Sequence, residues 1–429
     1  MDRKLLKEIV QEQARELKSF SLGIEREKLD QVLKVMPLPH VVAITGLRRC
    51  GKSTLMQQVI QQAFEGKVYY LDFEDERLLD FQVDDFNLLY EIFLELFGER
   101  RVFAFDEIQV IPKWETYVRR MYKSGYKFII SGSSADLLSS ELSTKLTGRH
   151  VAIELLPFSF QEYLAMTQNK TERSEPRLTK ERGLLKKAFN QFCAQGGIPE
   201  YLQYKNPLII RSIYENVLYK DVIVRYDIKA IKAIRELSLW LLSNPGGLIS
   251  YTKLKNSLHL GSLNTIKNYI HFLENAYLIF TIGKYSFSTA DQTVSAKKAY
   301  VIDTGMMEII GFQFSNNTGK YLENIVFLAL RRRMYPQGTI YYYKTKDDFE
   351  VDFCVRKGKK VTHLIQVAEH LNQEKTRERE IRALVQAMDE LKLSESFIIT
   401  LNDTETIHVD KKVIHCLSIV DWLLTFETR

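Results

Sequence analysis

The chain has 429 residues, 45% of them hydrophobic, and a formal net charge of +6. That length leaves room for roughly two to four domains, and the mild positive charge permits contact with nucleic acid without requiring it. No run of about 18 apolar residues is present, which excludes a transmembrane helix, and Met1–Lys18 is charged throughout, without the apolar centre of a signal peptide. Cys50, Cys193, Cys354 and Cys416 are scattered without metal-ligand spacing, and the eight histidines form no H-E-x-x-H cluster. A reducing cytoplasm is the expected location, and no membrane partner is expected.

Residues 1–35 read as helical, with Leu5, Ile9, Ala14 and Leu17 as a first apolar stripe and Ile24–Val35 as a second segment. This region is expected to pack beside the next element and to carry no chemistry. Val41–Thr45 then reads as a buried strand, followed by Gly46-Leu47-Arg48-Arg49-Cys50-Gly51-Lys52-Ser53-Thr54 and a helical segment, Ser53–Phe64. The loop fits G-x-x-x-x-G-K-[ST], in the strand–loop–helix context that gives the pattern meaning. Its glycines let the backbone close around phosphate oxygens at a helix N-terminus, where N–H groups and the helix dipole favour anions. Residues 46–54 are therefore the candidate nucleotide contacts. Lys52 is placed to reach the β- and γ-phosphates, and Ser53 to ligate Mg²⁺. ATP and Mg²⁺ are the expected ligands.

Lys67–Phe73 reads as a second strand, Phe86–Phe97 as an amphipathic helix, and Arg101–Glu107 as a third strand ending in two carboxylates. Adjacent acids at the end of a buried strand cost desolvation unless a cation offsets them. Asp106 is the candidate Mg²⁺ residue and Glu107 the candidate general base for the attacking water. Trp114–Lys123 reads as a helix and Lys127–Ser134 as a strand whose hydroxyls end near the γ-phosphate. Ser131 or Ser133 is a candidate for positioning water, although Ser134 could equally cap a helix at 135–138. Arg149, between Gly148 and the strand Val151–Leu155, is either a transition-state arginine, in cis or from a neighbouring subunit, or a surface arginine on a turn.

Residues 168–183 are polar and read as a linker, and helices dominate up to about residue 240. Beyond it, a short helix from Ile249, a helix after Gly261-Ser262 and two strands, Tyr277–Phe280 and Lys298–Asp303, give a winged-helix order. Leu263, Ile266, Ile270, Leu273 and Tyr277 form the expected buried stripe. Lys253, Lys255, Asn264, Lys267 and Asn268 face outward and could meet phosphates and base edges, which makes double-stranded DNA a candidate partner, against a protein-contact role for the same fold. Residues 315–429 read as a further α/β domain: a helix from Gly319, strands at 339–343, 350–355 and 362–367, a charged helix 372–391 and a strand 396–401.

In order and motif, these pieces resemble a bacterial and archaeal family of AAA-type P-loop ATPases with a C-terminal restriction-endonuclease-like domain of uncharacterised function. The resemblance is carried by Gly46–Ser53 with Arg48-Arg49, Tyr70-Leu71-Asp72-Phe73-Glu74-Asp75, Phe105-Asp106-Glu107, Ser131-Gly132-Ser133-Ser134, Gly148-Arg149 and Pro157–Leu164. Further carriers are Gly196-Gly197-Ile198-Pro199-Glu200, Tyr300–Gly305, Gly319–Asn324 and Glu350-Val351-Asp352-Phe353. It implies an α/β protein: a P-loop parallel sheet with N-terminal helices (1–165), a helical lid (180–235), a winged helix (236–312) and a PD-(D/E)XK-like domain (315–429). It also implies ATP hydrolysis, a sensor at the Ser131 strand end and a functional Arg149, and it is compatible with a homo-oligomer. Glu323 and Asp352 match the first two positions of the nuclease motif. The third reads Gln366-Val367-Ala368, which replaces a carboxylate and a lysine with neutral groups, so the expectation is an inactive nuclease-like domain, with Lys375 as the candidate for a migrated lysine. The competing readings are an ATP-regulated, metal-dependent DNA nuclease and an ATP-gated protein-interaction scaffold.

Overall fold

A computed structural model of the chain describes residues 1–135, 146, 148–167, 179–312 and 318–426. The chain divides into two compact units, Met1–Leu156 and Pro157–Arg429.

The first unit is a five-stranded, wholly parallel sheet: β1 (Val41–Thr45), β2 (Tyr69–Asp72), β3 (Val102–Asp106), β4 (Lys127–Gly132) and β5 (His150–Glu154), in the spatial order β2-β3-β4-β1-β5. Parallel strands covered on both faces need unbroken apolar runs rather than alternation. β1 and β3 are accordingly buried at every position, whereas the edge strand β2 alternates buried and half-buried residues. Helices α1 (Arg3–Ser19), α2 (Leu29–Val35), α3 (Lys52–Phe64), α4 (Phe86–Phe97) and α5 (Trp114–Lys123) flank the sheet. One layer of the core is aromatic: Phe103 stacks on Phe128 at 4.9 Å and Phe86 on Tyr117 at 4.4 Å. Each such ring contributes on the order of 1.5–3 kcal/mol through burial.

The apolar stripe of α1 is rotated from the expected one. Leu6, Ile9, Val10 and Gln13 are buried, while Leu5 is exposed. The expected second helix starts only at Leu29, and Arg26 before it is buried and donates to Cys50 O. The expected cap over 135–138 falls largely outside the described residues, as do Thr147 and most of the linker 168–183.

The second unit opens with helices Phe160–Thr167 and Thr179–Gln195 and further helices through Ile231–Ser243. Residues 157–165, read from the sequence as the end of the nucleotide domain, lie in this unit, where Phe158 N donates to Gly197 O (2.8 Å) and Phe160 meets Phe189 and Phe192. The tight join requires glycine, since a Cβ on Gly197 would lie 2.3 Å from Phe158 O. Asp303 locks the same join by accepting from Gly197 N (2.6 Å) and Met306 N (3.2 Å).

Helices Tyr251–Ser257 and Leu263–Asn275 precede an antiparallel ribbon, β6 (Ile279–Ile282) and β7 (Lys298–Val301). Ser262 caps the second helix through Thr265 N (3.1 Å). Its buried stripe is Ile266, Tyr269, Ile270 and Leu273; Leu263 is exposed, contrary to expectation, because it occupies the first turn. The last element is a six-stranded mixed sheet built from β8 (Gly338–Lys344), β9 (Glu350–Lys357), β10 (Lys360–Val367), β11 (Glu395–Thr400), β12 (Glu405–Val409) and β13 (Lys412–Ser418), in the order β12-β13-β11-β10-β9-β8. Elements on either side of the expected boundary near residue 312 pack together. Tyr300 of β7 stacks on Phe327 at 4.3 Å, and Tyr285 N donates to Tyr342 O on the edge strand β8 (2.7 Å). Among the described residues no helix is long and apolar enough to cross a membrane.

Candidate functional site

Strand register assembles the site. In β1, Ile44 lies beside Ser131 of β4, and in β2, Asp72 lies beside Asp106 of β3. The loop that follows β1, the carboxylates that end β2 and β3 and the hydroxyl of β4 therefore share the carboxyl edge of the sheet, where open α/β sheets bind ligands.

The loop needs its glycines. A Cβ on Gly46 would lie 2.1 Å from Leu155 O, and Gly51 has φ +98° with Arg26 Nη1 2.6 Å from where its Cβ would be. Arg49 also adopts a left-handed conformation, φ 61°. Left-handed residues alternating with Cys50, which lies outside that region, turn successive backbone N–H groups into one concavity, an anion nest. Arg26 fixes the loop from behind. The residue is 2% exposed, and its guanidinium donates to Cys50 O (2.6 Å) and Leu156 O (2.8 Å). Sequence reasoning missed Arg26, since nothing in its local spacing marks a brace for a loop 24 residues away. Cys50 is fully buried and burial pushes its thiol up, so it is a packing residue of the loop rather than a reactive one.

Lys52 is buried at the start of α3, with Nζ 3.1 Å from Glu107 Oε1 and 3.3 Å from Leu47 O. Burial opposes its charge, but Glu107 outweighs that and holds the ammonium above its ordinary range. The same pairing outweighs the burial of Glu107 and holds its carboxyl below the usual range. Glu107 has φ 48°, a left-handed conformation that turns it from the strand direction. Asp106 is 1% exposed and bonds the Ser53 and Ser131 hydroxyls; burial first, then Glu107, pushes its carboxyl up. Asp72 is pushed up to about 7 by burial and then by Asp106. The hard oxygen donors of Ser53 and Asp106 fit Mg²⁺. Among the described residues no group of three His, Cys, Asp or Glu side chains is arranged to hold a metal alone.

Two further candidates take different places. Ser131 donates to Asp106 and accepts from Glu107 N (3.1 Å), so it braces the two acids. Arg149 stands at the opposite edge of the sheet. It precedes His150, which pairs with Val41 at the start of β1, its carbonyl accepts from Val41 N (3.0 Å), and its guanidinium lies over the Tyr122 ring. At about 3.3 Å per residue, four residues of β1 separate Val41 from the loop, so Arg149 does not reach the phosphate site of its own chain.

A second buried lysine organises the other unit. Lys298 Nζ lies 2.8 Å from Glu350 Oε1 and 3.2 Å from both Glu323 Oε1 and Asp352 Oδ1. Burial opposes its charge, and Asp352, Glu323 and Glu350 outweigh it. Burial, then Asp352, pushes Glu323 up to about 7. The cluster borders a cavity of about 620 Å³ that Gln366, Arg379 and Glu380 also line. Gln366 accepts from Asp352 N (3.2 Å) and donates to Glu380 (2.6 Å). Ala368 belongs to the hydrophobic core, and Lys375 is exposed on the charged helix Glu374–Leu391 and does not line the cavity. The lysine of this cluster therefore comes from β7, not from position 375.

A family described as an AAA domain matches residues 39–164, and two families described as domains of unknown function match residues 186–315 and 318–421. The chain is 36% identical to the uncharacterised protein MJ1544 of Methanocaldococcus jannaschii, across 96% of this chain and 94% of that one. It is 30% identical to an uncharacterised protein of Haemophilus influenzae, across 94% and 98%. Among solved structures, that of the Aeropyrum pernix ORC1 protein in complex with DNA aligns with 66% of this chain and 91% of its own, at 12% identity and a TM-score of 0.30, too low to carry an argument. Relatives aligned over nearly their whole length, together with the AAA match, show the family: the chain belongs to an archaeal and bacterial family of AAA-domain proteins.

Proposed function

We propose that this protein is a Mg²⁺-dependent ATPase whose nucleotide cycle repositions a C-terminal half that engages DNA. The observation that carries the first part is the convergence of Lys52, Ser53, Asp106 and Glu107 at one sheet edge. ATP would take the place of Glu107 at Lys52, its phosphates seated in the nest of residues 46–54. Mg²⁺ would be held by Ser53 and Asp106 and would offset phosphate charge. The released Glu107 is then available as general base for water. Ser131 keeps both acids aligned. Arg149 is assigned to a trans role, in which an oligomer would bring it to a neighbour's phosphates. The test is nucleotide binding and turnover by Lys52→Ala; unchanged affinity and rate would remove the central claim.

For the second part, helices Tyr251–Ser257 and Leu263–Asn275 with the β6–β7 ribbon support a winged-helix reading. Lys253, Asn264, Lys267 and Asn268 are exposed and Lys255 half-exposed on those helices. Phosphate contacts by these lysines require duplex affinity to fall steeply with salt; a flat salt dependence would leave a protein-contact role. The mixed sheet at 338–418 supports a restriction-endonuclease-like reading with no nuclease activity. Lys298 occupies the acids, and Gln366 and Ala368 stand at the third motif position. Metal-dependent cleavage of DNA abolished by Asp352→Ala would reverse that assignment.

A further inference from the structure

The edge strand β2 ends in Asp72, for which the sequence suggested no role. Residues paired across parallel strands project to the same face, with strands about 4.8 Å apart. Asp72 is paired with Asp106, and Asp106 faces the start of α3, where it bonds Ser53. Tyr70, two residues earlier on the same face, confirms the direction by bonding Gln57 of α3. Asp72 thus faces the Mg²⁺ side of the nucleotide site.

The backbone of Asp72 is held by an unusual clamp. Gln13 lies 5% exposed in the apolar stripe of α1. Its Oε1 accepts from Asp72 N (2.8 Å), and its Nε2 donates to Asp72 O (3.1 Å) and to Asp75 Oδ2 (3.2 Å). A buried amide is costly unless its bonds are made, and here it supplies the edge strand with the neighbour it lacks. One carboxylate oxygen of Asp72 accepts from Glu74 N (2.9 Å), while the other, Oδ2, makes no hydrogen bond among the described residues. Glu74 in turn ion-pairs with Arg48 of the phosphate loop at 2.5 Å. The turn after β2 is therefore tied to α1 on one side and to the loop on the other.

We infer that Asp72 is a second carboxylate of the nucleotide site, orienting through its free oxygen the waters of the Mg²⁺ held by Ser53 and Asp106, and that Gln13 is its positioning residue. The inference rests on the nucleotide-site reading above and extends it to α1, a helix outside the residues matched by the AAA family.

The experiment is a titration of Mg²⁺ into the full chain with a non-hydrolysable ATP analogue, reading half-saturating Mg²⁺ by fluorescence of the bound analogue, beside analogue affinity in EDTA. Partners that orient a metal's ligands typically contribute 10–100-fold to its affinity. Asp72→Asn is expected to raise half-saturating Mg²⁺ about tenfold or more, with affinity in EDTA unchanged or tighter. Gln13→Leu moves it in the same direction by less, and Asp72→Glu recovers part of the loss. Unchanged half-saturating Mg²⁺ in a folded Asp72→Asn chain overturns this inference alone. Wild-type chain that binds no analogue overturns it together with the nucleotide-site reading. Loss in EDTA equal to the loss in Mg²⁺ assigns Asp72 to the fold and overturns it as well.

Discussion

Each unit buries one lysine among carboxylates, and the two arrangements differ in what they leave free. Lys52 stands at a helix start with one carboxylate partner, Glu107, while the neighbouring Asp106 is satisfied by hydroxyls. Lys298 stands within a strand and meets three carboxylates at once. An incoming polyphosphate has only to replace one carboxylate at Lys52, and the nest behind it is shaped for that exchange. At Lys298 a ligand would have to displace three. Buried lysine beside acid is thus no signature of chemistry by itself; the number of partners separates a releasable pair from a structural tie.

The largest expected effect tests the releasable side. Glu107→Gln keeps the shape but removes the base, so turnover should fall on the order of 10²–10⁴-fold with ATP still bound. Single-turnover kinetics beside equilibrium binding measure both, and a variant that hydrolyses ATP at the wild-type rate would make Glu107 merely the counter-ion of Lys52.

Next is the closed side. Lys298→Met leaves Glu323, Glu350 and Asp352 without their cation, which should destabilise the second unit by about 3–5 kcal/mol. Chemical denaturation reads it. If the midpoint stays put, the cluster is not the tie described above, and the acids are free to hold something else.

The pH dependence of the second unit sharpens the contrast between strain held by a lysine and strain held by backbone. Burial pushes Asp303 from 3.8 up to about 6, against its hydrogen bonds from Gly197 and Met306. A raised carboxyl means the folded chain binds the proton more readily than the unfolded one. Its contribution therefore falls as pH rises from about 4 to about 6, by on the order of 3 kcal/mol, and is constant above that. The difference in unfolding midpoint between wild type and Asp303→Asn, followed from pH 4 to 7, should slope only inside that window.

The smallest effect concerns Arg149. As an exposed residue at the far edge of its own sheet, its replacement by Ala should change stability by no more than about 0.5 kcal/mol. In dilute, monomeric protein it should leave ATP turnover unchanged. A loss that grows with protein concentration would identify the neighbour-supplied arginine, and a loss at every concentration would contradict the placement of β5.

The phosphate loop and the strand that ends in Asp106-Glu107 were legible in the sequence because their chemistry lies in contiguous residues. A loop must have glycine where Gly46 and Gly51 stand, and a buried strand must be apolar up to its first carboxylate. Most helix and strand types up to residue 401 were legible for the same reason, through local periodicity, whereas β12, β13 and the helix Ile419–Phe426 were not read. The stripes of α1 and of Leu263–Asn275 shifted because the partner surface, and not the period, chooses which residues turn inward. Only tertiary structure decided the rest. It brought Arg26 under the loop, Gln13 onto Asp72 and Lys298 into the acids of a sheet that begins 40 residues later, and it carried Arg149 to the wrong edge for cis chemistry. Each of these depends on strand order and register, which place side chains far apart in sequence within a few ångströms and leave no mark in local spacing.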